Sequence, residues 1–182
     1  MDRIASPQDI LAFWLAAGHD KWFGTDQAFD AEIRARFLPA YEAAAARGLA
    51  DWEASPEGAL ALTLVLDQFP RNMFRGEARI YAADPVARAV VKRAIARGFD
   101  RQAPENLRSF FYLPLMHSED PADHERCIAL HRAHGDPEGI KYSEHHADIV
   151  RRFGRFPHRN AILGRQTTPE EQAFLDGGGF KG

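Results

Sequence analysis

The stretch FGRFPHRN, residues 153–160, sets Arg155, His158, Arg159 and Asn160 around Pro157, with Phe153 and Phe156 to anchor the turn. Several donors with few acceptors suit a carboxylate or a phosphate, which arginine grips through two parallel bonds. A second stretch, LVLDQFPRNMFRG (64–76), has the same grammar and adds Arg71, Asn72 and Arg75 as candidate ligand-binding residues. The two loops read as two walls of one pocket for a small anion. They read equally as two structural clamps, each arginine capping helix-end carbonyls.

Asp67 and Gln68 open the second of these loops. Leu60, Leu64 and Asp67 fall on one helical face, so the carboxylate points where its apolar neighbours point. It also sits in what reads as the last turn of a helix, where the dipole disfavours an anion by a few tenths to about 1 kcal/mol. A carboxylate so placed needs a cation or several amides. Arg71 and Arg75 follow on the same segment, and Arg155 and Arg159 are the candidates from the distant loop. The spacing therefore predicts either a salt bridge that ties a loop to the core or a buried carboxylate holding ligand-binding arginines. In both cases Asp67, Arg71 and Arg75 are expected near His146, Arg155 and Arg159.

The histidines supply the candidates for proton transfer. Tyr142, His146, Ile149, Val150 and Phe153 make a helical stripe that faces His146 inward, on the helix that delivers FGRFPHRN. A lone inward histidine reads first as a satisfied core residue, and its position makes it, with His158, a candidate acid–base group. His117 and Glu119 end a proline-kinked helix, where a charged imidazole suits the dipole; the sharper reading has Glu119 orient His117 for acid–base work. His124, Cys127, His131 and His134 share one stripe of types that suit zinc. On a straight helix they span roughly 15 Å, too far to close around one ion, so no metal or cofactor is expected.

These side chains need elements to hold them, and proline marks where those elements begin. Ser6-Pro7, Ser55-Pro56, Asp84-Pro85, Asp120-Pro121, Asp136-Pro137 and Thr168-Pro169 each pair a cap residue with a proline at the first helical position. Thr168-Pro169-Glu170-Glu171 completes a capping box, and Gly18, Gly48 and Gly98 stand where helices should stop. Helices are predicted over 7–17, 26–47, 56–68, 85–97, 104–118, 121–134, 137–153 and 169–175. Pro114 should kink or divide the fifth, and Pro157 should stop the one that starts near 137. The third, carrying ALALTLVL, is apolar nearly all round and belongs at the centre, while Phe29, Ile33, Phe37 and Tyr41 give the second a broad aromatic face. No apolar–polar alternation marks a strand.

At 182 residues, 45% hydrophobic and 27% charged, the chain fits a single domain over 1–176 with a flexible Gly-rich tail, GGGFKG, anchored by Phe180 alone. A formal charge of −3 argues against a nucleic-acid or membrane partner. One cysteine, no leader pattern and no long apolar run point to the cytoplasm. Phosphate-loop, dinucleotide-binding and nucleophile-elbow patterns are absent, which weakens the standard nucleotide and serine-hydrolase readings.

With LVLDQFPRNMFRG, FFYLPLMHSED and HADIVRRFGRFPHRNAILGR in view, the chain resembles a bacterial family catalogued as domain of unknown function 924, over nearly its whole length from ILAFWL. The resemblance implies an all-α fold of stacked right-handed helical hairpins, similar to tetratricopeptide repeats, with about eight helices. It implies no activity. His131 stands where an apolar residue is expected in such proteins, which counts against a shared role for it. Two functions are carried forward: a pocket for a small anionic ligand built from DQFPRN and FGRFPHRN, or a helical module for a protein or peptide partner in which these motifs serve only the fold.

Overall fold

The proline pairs do what their chemistry requires, with one exception. Side chains of Ser6, Ser55, Asp120, Asp136 and Thr168 accept from amides of the first turns they precede, and Ser6 and Thr168 complete capping boxes. Asp84 departs from this pattern: both its oxygens take Arg71 instead, and its helix starts without a side-chain cap.

The structure, a computed structural model, describes residues 4–181. Met1–Arg3, part of the segment in which no leader is read, and Gly182 of the tail lie outside the described residues. Among the described residues, all regular structure is helical. The order is α1 (Pro7–Ala17), α2 (His19–Phe23), α3 (Gln27–Ala45), α4 (Pro56–Thr63), a π-turn (Leu64–Gln68), α5 (Phe69–Met73), α6 (Asp84–Ala96), α7 (Glu105–Arg108), α8 (Leu113–Met116), α9 (Pro121–His134), α10 (Pro137–Phe153) and α11 (Pro169–Asp176). Single 3-10 turns stand between several of them.

The chain divides into two compact units. One comprises the chain up to Arg75 with Arg79–Pro114, the other Gly76–Ala78 with the chain from Leu115 on. In the first unit α4 is central, packed against α1, α6, the Ala50–Ala54 turn and the Ser109–Phe111 turn. Its residues from Gly58 through the π-turn are all buried, as an element apolar on every side must be. Phe29, Ile33, Phe37 and Tyr41 of α3 are buried as one face, and α3 runs on through Pro39. In the second unit α9 and α10 form a helical hairpin joined by Gly135 and Asp136, with α11 packed on the Pro157–Arg159 turn.

Several boundaries differ from expectation for local reasons. The helix predicted to end at Gln68 does not end there. The Phe69 amide reaches back to the Leu64 carbonyl, a wide π-type bond. A wider turn just ahead of Pro70 fits a residue whose ring crowds the carbonyl four positions back. The predicted 104–118 helix is broken before its proline rather than at it, and Pro114 sits in the first turn of α8, where a missing amide costs nothing. Gly154, at φ +71°, stops α10, so Pro157 opens the following 3-10 turn instead. Near Gly48 the left-handed residue is Arg47, at φ 62°.

Gly58 in the first turn of α4 has no room for a side chain: a Cβ there would run into the backbone of Trp52. Gly58→Ala should therefore lower stability by at least about 1–3 kcal/mol despite the better helix propensity of alanine. A urea titration of the two proteins reads this directly.

Candidate functional site

In the first unit, the inward carboxylate finds its cation one turn further along its own chain. Asp67 is 1% exposed, and Arg71 Nη1 lies 3.2 Å from its Oδ1 and donates to its backbone carbonyl at 2.6 Å. The same guanidinium donates to both oxygens of Asp84, each at 3.2 Å. Burial works to lower the pKa of Arg71, but the two carboxylates outweigh it and the pKa is raised. Gln68 Nε2 adds a donor to Asp67 Oδ2 at 2.6 Å. Because the chain passes through the π-turn into α5, Asp67 is not in a terminal turn, and the expected penalty from a helix C-terminus does not arise. The remaining donors of this loop turn to α3: Asn72 Nδ2 reaches Asp30 Oδ1 at 2.6 Å, and Arg75 Nε reaches Asp30 Oδ2 at 2.6 Å.

In the second unit FGRFPHRN is held by two carboxylates. Arg155 makes a two-pronged pair with Glu171, Nε at 2.6 Å and Nη2 at 2.8 Å, and also donates to the Gln166 carbonyl. Glu171 accepts from Asn160 Nδ2 and from the Thr168 amide of its capping box. The Arg155 bonds lead the donors that hold its pKa down at about 2. Glu119 takes two prongs from Arg165 at 2.8 and 3.0 Å and the Phe156 amide at 2.8 Å. These donors overcome burial and lower its pKa. Glu119 thus fixes the backbone of the loop. The His117 carbonyl accepts Arg159 Nη2 at 2.9 Å. Arg159 itself is buried and lies 4.5 Å over the Phe156 ring.

Around that ring the structure gathers imidazoles. The ring centroids of His124, His146 and His158 are 6.0, 5.8 and 5.6 Å from that of Phe156. His124 Nε2 faces the Ser118 carbonyl at 2.7 Å and His146 Nδ1 faces the Tyr142 carbonyl at 2.8 Å. A carbonyl only accepts, so these nitrogens carry the protons, and the lone pairs fall on His124 Nδ1 and His146 Nε2. His124 Nδ1 and His158 Nδ1 are buried without a hydrogen-bond partner. Burial lowers the pKa of all three, that of His146 to about 3 and that of His158 to about 4, Arg159 adding to the latter. They are neutral bases at pH 7. Phe180 lies against two of them, 4.6 Å from the His146 ring and 5.1 Å from that of His158.

The α9 stripe goes to structural partners. Besides His124, Cys127 Sγ lies 3.4 Å from Ser143 Oγ of α10, and His131 Nδ1 is 2.9 Å from Asp136, the α10 cap. Burial pushes the Cys127 thiol up to about 11. Tyr142, expected inward with His146, is 53% exposed. Sequence reasoning missed Arg165 and the second role of Glu171. Arg165 stands within the motif that carries the resemblance, and the capping box points to Glu171 without naming the cation it meets.

The family model described as a bacterial protein of unknown function (DUF924) matches residues 10–179. A solved structure, a protein of unknown function from Agrobacterium tumefaciens, is 51% identical in sequence and superposes with a TM-score of 0.91, covering 94% of this chain and 97% of that one. No curated protein matches.

Asp67→Asn leaves Arg71 short of a charge in a buried setting and should cost about 3–5 kcal/mol, the range for breaking a buried pair. Acid should act in two stages. The histidines of the unfolded chain take up protons below their ordinary value of 6.5, while folded His146 and His158 refuse them down to about 3 and 4. Stability therefore falls as pH drops from 6.5. Glu171 contributes stability fully present above the ordinary value of 4.5 and lost as pH falls towards about 2. Urea midpoints against pH should show His146→Leu flattening the first limb and Glu171→Gln the second.

Proposed function

We propose that this chain, which belongs to the bacterial DUF924 family of proteins of unknown function, binds a small anionic ligand, a carboxylate or a phosphate, beside the FGRFPHRN loop. The observation that carries this reading is the gathering of neutral imidazoles around Phe156, with the Arg159 guanidinium on the same ring. Buried ring nitrogens without partners carry a cost that a fold built for stability alone would avoid. An entering anion offers them a reason: its charge offsets the burial that keeps His146 and His158 neutral, so each becomes easier to protonate and then donates to it. Binding is thus coupled to proton uptake, and either histidine is placed to move a proton on the bound ligand.

Four arginines in or near the two motifs already face carboxylates. Arg155, Arg165, Arg71 and Arg75 are engaged by Glu171, Glu119, Asp67 with Asp84, and Asp30. That engagement also favours the second reading, in which the motifs are clamps and the helices present a surface to a protein or peptide. A cytoplasmic location accords with the single buried cysteine and with the lack, among the described residues, of any helix long and apolar enough to cross a membrane.

The two readings separate in a thermal-shift screen with inorganic phosphate and small carboxylates. The anion reading expects a rise in Tm for the wild type, lost in Arg159→Met and retained in Arg155→Met, whose own Tm is lower. Calorimetry in buffers of different ionisation heat should show protons taken up at pH 7. No response to any anion, or an undiminished response in Arg159→Met, would leave the partner-binding reading in its place.

A further inference from the structure

The tail that covers the imidazoles is built rather than loose. After α11 the amides of Gly177, Gly178 and Gly179 return to the carbonyls of Ala173, Leu175 and Phe174 at 3.0, 3.3 and 2.9 Å. Gly178 stands at φ +81°, and a Cβ on Gly179 would strike the carbonyl oxygen and ring of Phe174. Only glycine accepts both conditions, one conformational and one steric. These glycines cap the helix and turn the chain so that the next residue, Phe180, is carried back over α10 and the 157–159 turn.

The seat that receives Phe180 is lined by rings on several sides. His146, His158 and His145 meet it at 4.6, 5.1 and 5.7 Å with interplanar angles of 66°, 83° and 78°, and Phe156 lies at 6.4 Å. Edge-to-face packing of this kind selects a flat six-membered ring over an aliphatic group of equal size. Yet a hydrocarbon ring serves only part of what surrounds it. The lone pair of His146 Nε2 and the unpartnered Nδ1 of His158 gain no hydrogen bond from it. Phe180 fills the shape and leaves the polar atoms unanswered.

We infer that the seat of Phe180 is the aromatic subsite of the anion site proposed above, on which this inference rests, and that the ligand is an aryl carboxylate, with Phe180 as its tethered stand-in. The ring of such a ligand replaces that of Phe180, and its carboxylate accepts from the imidazoles and from Arg159. Being tethered, Phe180 competes at an effective concentration on the order of millimolar. The hydrophobic worth of a half-buried phenyl ring makes that competition worth about tenfold in apparent affinity.

The test titrates wild type, Phe180→Ala and Phe180→Trp with phenylacetate, acetate and inorganic phosphate by calorimetry. Phe180→Ala should bind phenylacetate about tenfold more tightly than the wild type does, and more tightly than it binds acetate. Phe180→Trp, which overfills the seat, should bind phenylacetate more weakly than Phe180→Ala. If acetate and phosphate bind while phenylacetate gains nothing from Phe180→Ala, or if Phe180→Trp matches Phe180→Ala, the aromatic subsite is overturned and the anion site stands. If none of the three anions binds any of the three proteins, both readings fall together.

Discussion

A carboxylate as deeply buried as Asp67 must be met by a cation or by several donors, or give up its charge. That constraint organises the loops of this protein. Arg71 meets Asp67 and Asp84 together, Arg155 meets Glu171, and Arg165 meets Glu119. In each case the partners come from segments that the backbone alone would leave loosely related. Asp84 begins α6, Glu171 sits in the first turn of α11, and Glu119 follows α8. Exchanging any of these pairs for apolar residues need not weaken the fold, but removing one member strands the other. The pairs therefore fix which segment goes where more than they add to stability.

The same arithmetic separates the two kinds of arginine in FGRFPHRN. Arg155 spends its fork on a carboxylate that already closes a capping box, so its charge is spoken for. Arg159 lies 4.5 Å over the Phe156 ring and donates to the His117 carbonyl. Arg155 is paired with Glu171, while Arg159 acts on Glu119 and helps to keep His158 uncharged.

Much of the fold was legible because its helices announce themselves chemically. A cap residue followed by proline fixes a start almost without regard to tertiary context, and the first residues of α1, α4, α9, α10 and α11 fell where those pairs placed them. Stops were harder. The stop of α10 belongs to Gly154, three residues before the more conspicuous Pro157, and the apparent stop at Gln68 is a π-turn that only the demands of Pro70 and the packing around Leu64–Asp67 bring about. Short pieces such as α2 escaped because five residues carry too little periodicity to read. In the candidate site the inward turn of His146 followed from spacing on α10. Its neighbours did not: His124 comes from a different helix and Phe180 from a tail whose glycines read as slack. Convergence of that kind lives in tertiary geometry and leaves no local spacing to find.

The glycines of that tail make backbone contacts that composition alone does not reveal. Three consecutive glycines signal a flexible linker when nothing constrains them. Here each amide has a carbonyl partner within α11, and the lack of side chains is what lets the backbone close against Phe174. The entropy that glycine loses on ordering is a real cost, offset by those bonds and by the rings that receive Phe180. On the reading proposed above, a competitor that matches the contacts of that phenyl ring displaces it. The imidazoles beneath would then regain water or a polar ligand, and with either of them their ordinary basicity. On the proposed reading, coverage by Phe180 and neutrality of His146 and His158 belong to one state of the site, and its uncovering and their protonation to the other.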